Sequence, residues 1–206
     1  MEKNSTAIID KSYFRKLASR DHEEISKYLP YEYDDSTGTC LLSVWGDQYI
    51  IHLDEFKIEC VTKTSHYPDG LFFLFIIFYL VHAKGNTIKE EWISEKDMPG
   101  GATFFRGPHK IPTHLIARQF NNDIKAFGER CVELGGVELD LADAAYRFEI
   151  VPCIPVAVLM WQGDEDFPPE AKILYDKTIM EYLTFDIIFS LAVEICARVG
   201  CVTSRE

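Results

Sequence analysis

The apolar positions Tyr13, Phe14, Leu17, Ile25 and Leu29 recur at helical spacing, with Asp21, Glu23, Glu24 and Lys27 mostly on other faces. This pattern predicts an amphipathic helix over residues 10–29, stopped at Pro30. Past the turn at 34–38 the period shortens, and residues 39–45, 49–53 and 56–62 read as β-prone runs. Their connectors, Gly46-Asp47 and Asp54-Glu55, are short enough for hairpins, so an antiparallel meander is expected.

Residues 71–81 are apolar without interruption, bracketed by Asp69-Gly70 and Gly85-Asn86. Their Phe, Ile, Tyr and Val content is β-prone, but length and punctuation predict a core helix. The run falls well short of the ~20 residues a membrane-spanning helix needs. Thr113 then opens a pattern with Ile116, Phe120, Ile124, Phe127, Cys131 and Leu134 on one face, which predicts a long helix closed by Gly135-Gly136. Strand-like runs follow at 146–151, 155–161 and 171–175, and a last helix starts at Thr184, buries Ile187, Ile188, Leu191, Ile195 and Val199, and ends at Gly200. Trp45-Gly-Asp and Trp161-Gln-Gly-Asp form a faint internal echo, each between two strand-like runs, of a kind hairpin geometry itself selects.

Strands in two clusters with helices between them, and no βαβ alternation, predict an α+β fold. The expected form is an antiparallel or mixed sheet from two groups of short strands, with about four helices packed against it. The length of 206 residues calls for a single domain over 1–206. A formal net charge of -12 with no basic run argues against nucleic acid as a partner. The N-terminus has no basic start followed by an apolar signal core, so the expected location is the cytoplasm and no membrane partner is expected. Six cysteines without a C-x-x-C pair read as buried, reduced side chains, and no metal or cofactor is expected.

The segment 99–114 breaks the periodicity altogether. It packs Gly100, Gly101 and Gly107 with Pro99, Pro108, Pro112, Arg106, His109 and His114 around the pair Phe104-Phe105. Arg106 offers a planar fork of donors to an anion, His109 can exchange a proton near neutral pH, and the glycines let backbone N–H groups approach closely. His109 and His114 do not have a recognised metal-ligand spacing. A second candidate is the acidic turn after Trp161, carrying Asp164, Glu165 and Asp166, with Asp176 beyond it. The candidate ligand-binding set is therefore Gly100, Gly101, Arg106, His109, Trp161, Asp164 and Asp166. His109, Asp164, Glu165 and Asp176 are the acid–base candidates. G-x-S-x-G, P-loop and dinucleotide fingerprints do not occur.

At residues 92–109 and 161–176, and in the meander region 31–59, the chain resembles a prokaryotic family known as domain of unknown function 3786. The resemblance implies a protein of anaerobic bacteria or archaea with no established activity. Some members carry an added Cys-rich module of iron–sulfur type, whereas this chain has no Cys-rich N-terminal segment. Three functional expectations follow. The first is a cytosolic binding or accessory protein of anaerobic metabolism, with a small-anion pocket where the Arg106 loop meets the 161–176 turn and with room for an oligomeric or protein partner. The second is an enzyme acting on a small anionic substrate through His109. The third is a structural subunit without a site.

Overall fold

In the structure, a computed structural model, residues 9–62, 68, 70–85 and 87–200 are described. Asp69, Asn86, Cys201 and the N-terminal stretch 1–8, on which parts of the sequence reading rest, lie outside them.

The predicted first helix is two helices, α1 (Lys11–Ala18) and α2 (His22–Ser26). Asp10 and Asp21 cap them through carboxylates that accept from Ser12 N and Glu24 N. The break is used: Arg20, in the junction, donates to Val81 O and Ala83 O at the end of the helix over Gly70–His82. The meander follows as β1 (Tyr31–Asp34), β2 (Thr39–Val44), β3 (Asp47–His52) and β4 (Lys57–Cys60), an antiparallel four-stranded sheet in chain order.

The run that is apolar on all sides forms α3 (Gly70–His82), with nine buried side chains from Phe72 to Val81. It packs against α1 and against the last helix, α8 (Phe185–Gly200). Uniform apolarity is what burial on every side demands. Among the described residues, no helix is long and apolar enough to cross a membrane.

The second half supplies β5 (Trp92–Ile93), α4 (Gly101–Phe104), α5 (His114–Phe120), α6 (Ile124–Glu133), β6 (Val137–Leu139), β7 (Ala144–Val151), β8 (Ile154–Trp161), β9 (Glu170–Asp176) and α7 (Ile179–Tyr182). The strands form a five-stranded antiparallel sheet in the order β5-β9-β8-β7-β6. Its middle strand β8 is buried at every position but Trp161, because helices cover one face and a small cluster around Ala145, Ala157 and Leu159 closes the other. The architecture is α+β, and each strand group forms its own sheet. One contiguous core takes side chains from both sheets, including Leu42, Tyr49, Phe148 and Val158. The sheets meet at Trp45, whose N–H donates to Ile150 O at 2.7 Å and whose indole N–H donates to Leu134 O at 3.1 Å.

The single helix predicted from Thr113 to Leu134 is also divided. Asn121 turns to φ 51° and ψ -120°, where the helix cannot continue, and Asp123 caps α6 through Ala126 N. The Thr113 side chain makes no cap bond.

Candidate functional site

The 94–113 segment is built by short-range hydrogen bonds around a few positions with no room to vary. Ser94 N and Oγ both donate to Asp97 Oδ2, at 2.9 and 2.6 Å, which closes a tight turn and holds the Asp97 carboxyl below its usual range. The turn is pressed on α4 so closely that a Cβ on Gly101 would lie 1.9 Å from Glu95 O. Gly100, at φ 88°, admits the chain into α4. Arg106 Nε donates to Ala102 O, and a 3-10 turn over Gly107–His109 carries the chain to α5.

The acidic turn is anchored to the other end of α5. Asn122 receives Gly163 N on its Oδ1 at 2.8 Å and donates to Gly163 O at 3.2 Å, while Gln162 donates to Asn122 O at 3.0 Å. Both sequence motifs are therefore tied to one short helix, by covalent continuity at its start and by this amide clamp at its end.

Between them lies a cleft of about 960 Å³. One wall is the segment from Phe105 through α5 to Asn121, and the other runs from Pro168 to Ile173, with Glu95 and Lys96 at one end. Its floor is apolar and buried: Phe105, Ile111, Ala117, Ala171 and Ile173. Its rim carries Lys96, Arg106, Lys110, His114 and Arg118, all exposed. Among the described residues, none of Lys96, Arg106, Lys110 and Arg118 has a carboxylate within ion-pair distance. Lys172 also borders the cleft, but its ammonium lies 3.6 Å from Glu170 and 5.4 Å from the centroid of the Trp161 ring. Four unpaired cations thus face one unpaired wall carboxylate, Glu95, in a chain of net charge -12. Walls of low dielectric concentrate the field of such a cluster.

Of the sequence-predicted ligand-binding residues, Arg106 alone lines this cleft. Gly100 and Gly101 shape the loop behind it. His109 turns away: its ring stacks on Phe104 at 4.5 Å and meets Phe189 edge-on at 5.5 Å, which makes it part of an aromatic group with Phe105 and Phe185. Trp161 packs on the outer cluster of the five-stranded sheet. Asp164 accepts from Asp166 N and Phe167 N, both at 2.8 Å, and these bonds lower its carboxyl pKa. Asp166 and Glu165 are exposed in the same turn and do not line the cleft.

Asp176 is buried. Burial pushes its pKa up, but bonds from Thr178 Oγ1 and N and from the Lys89 and Glu90 amides outweigh this and leave it below its ordinary value. Its hydrogen-bonding capacity is used in tying the segment before β5 to the end of β9.

The residues missed were Lys96, Lys110 and Arg118. Arg118 could have been found, since His114, Arg118 and Asn121 repeat at helical spacing opposite Ile116 and Phe120. Among the described residues no three His, Cys, Asp or Glu side chains converge as a metal site. Cys40, Cys131 and Cys196 are buried and free, and burial raises their thiol pKa values, to about 11 for Cys40 and about 12 for Cys196.

Residues 21–198 match the family described as domain of unknown function DUF3786. The chain belongs to this family. The match takes in both walls of the cleft, both strand groups and nearly all of α8. No match was found among the curated proteins or among the solved structures.

Proposed function

We propose that this member of the DUF3786 family is a binding or accessory protein whose cleft takes a small anionic ligand. The observation that carries the reading is the convergence of Lys96, Arg106, Lys110 and Arg118, unpaired among the described residues, on one concave site of an acidic chain. Cations left unpaired beside one another repel, and a protein with 33 acidic residues had many ways to neutralise them. A bound anion removes that repulsion and gains charge-assisted hydrogen bonds from the two guanidinium forks.

The cytoplasmic location, expected from the N-terminal sequence, and the setting in anaerobic metabolism, implied by the family resemblance, complete the reading. It includes no nucleic-acid or membrane partner, because the charge outside the cleft repels phosphate backbones and anionic surfaces. An acid–base role for His109 finds no support in its place against Phe104 and Phe189.

The test is titration calorimetry with inorganic tripolyphosphate. We expect binding that weakens as salt is raised. It should weaken at least about tenfold in Arg106→Ala/Arg118→Ala, the loss of roughly 1.4 kcal/mol. Lys125→Ala, on the exposed face of α6, should bind as the unaltered protein does. Equal affinity in the double variant would sink the reading.

A further inference from the structure

The cleft is divided into two chemical zones, and a small inorganic anion would use only one. The cations Lys96, Arg106, Lys110 and Arg118 are on the rim, and the side chains beneath them, Phe105, Ile111, Ala117, Ala171 and Ile173, are apolar and buried. Pro168 and Pro169 extend the apolar surface up the wall formed by the start of β9. The volume of about 960 Å³ is near the upper end of the range for sites that enclose whole organic ligands, about 300–1,000 Å³. A phosphate or sulfate ion fills only a small part of that volume.

The geometry points to an organic polyphosphate whose body presents a flat aromatic face, of the nucleoside di- or triphosphate class. Its phosphates lie among Arg106, Lys110, Arg118 and Lys96, and its body lies on the floor between Phe105 and Ile173. The charge count favours a polyphosphate over a monocarboxylate, since four cations against Glu95 leave a formal excess of three positive charges. A body with an aromatic face suits this zone, where the Phe105 ring on the floor and the flat proline edges of the wall offer apolar contact area. Recognition of the body by shape and apolar contact predicts tolerance of base identity, because none of the floor side chains can read a base edge by hydrogen bonding.

This inference rests on the anion-site reading above, and the experiment separates the two. Calorimetric titrations of the full chain are run with inorganic tripolyphosphate, ATP, GTP and CTP, each against the unaltered protein and Arg106→Ala/Arg118→Ala. We expect the three nucleotides to bind within about threefold of one another and at least about tenfold more tightly than tripolyphosphate. All four should weaken together in the double variant. Equal affinity for tripolyphosphate and the nucleotides, or tighter tripolyphosphate, would overturn the two-zone inference and leave the anion site standing. Nucleotide binding unchanged by the double variant would place the ligand elsewhere and overturn it as well. If neither tripolyphosphate nor any nucleotide binds, the anion-site reading falls and takes the inference with it.

Discussion

The Arg198 guanidinium of α8 lies 2.7 Å from the Asp47 carboxylate at the first residue of β3, and both are buried. Arg198 also pairs with Glu194 at 2.9 Å, donates to Tyr49 Oη at 3.0 Å, and stands over the Trp45 ring at 4.9 Å. Its own carbonyl oxygen accepts two bonds from the buried Arg130 of α6. One side chain thus joins the last helix to the four-stranded sheet, at the Trp45 turn that touches β7.

Arg198→Met is expected to destabilise the fold by roughly 3–5 kcal/mol, because it removes the guanidinium that pairs with the buried Asp47 and Glu194 carboxylates. Combining it with Asp47→Leu and Glu194→Leu should recover most of the loss. Urea denaturation of the single and triple variants measures both. A single variant within about 1 kcal/mol of the unaltered protein would show that the cluster contributes little.

His22 gives the fold a pH dependence. The Tyr31 hydroxyl donates to Cys40 Sγ at 2.9 Å, which leaves its oxygen to accept from His22 Nδ1 at 2.6 Å, and the His22 ring stacks on Tyr33 at 3.7 Å. Burial holds the imidazole pKa below its ordinary 6.5. The His22 contribution is fully present above that value. As pH falls through it the unfolded chain takes up a proton first, and stability drops until the folded side chain is protonated too. Unfolding free energies measured from about pH 8 to about pH 5 should fall less steeply in His22→Gln than in the unaltered protein.

Two substitutions in the loop should separate support from binding. Gly101→Ala places a methyl group against Glu95 O and is expected to cost about 3 kcal/mol and to weaken tripolyphosphate binding, since Glu95 and Lys96 end the cleft wall. His109→Ala removes a ring from the Phe104 and Phe189 contacts and should cost about 1–2 kcal/mol. His109→Phe should restore the stability and bind tripolyphosphate normally. Thermal melts with calorimetry decide this, and abolished binding in a stable His109→Phe protein would return His109 to the site.

Tyr175, completely buried in β9, has a hydroxyl with no hydrogen-bond partner among the described residues. Tyr175→Phe removes a desolvated polar group and keeps the ring, so it should stabilise the protein by about 1 kcal/mol. A loss of stability in denaturant titration would mean that the hydroxyl is satisfied in solution.

Residue order alone determined the features that depend on near neighbours. Length and punctuation placed α3, periodicity placed α8, and β-prone composition between turns placed β2, β3, β7, β8 and β9 to within a few residues. Glycine and proline density marked the segment that became a cleft wall. The breaks at Arg20 and Asn121 were harder to see, because the apolar period continues in phase across them and each gap is held open by a contact with another element. The short edge strands β1, β5 and β6 were missed for the same reason, since two to four residues of strand exist by virtue of the partner they pair with.

The site itself was decided by tertiary structure. Within one loop, Arg106 faces the cleft and His109 faces an aromatic group, and nothing in the local pattern distinguishes them: the choice is made by Phe104 and Phe189 packing against the imidazole. The opposing wall comes from β9, whose position against α5 depends on the Asn122 clamp and on the sheet behind it. Propensity and periodicity act over a turn or two of chain, whereas the facing of charges across a cleft is set by which distant elements bury their apolar sides together.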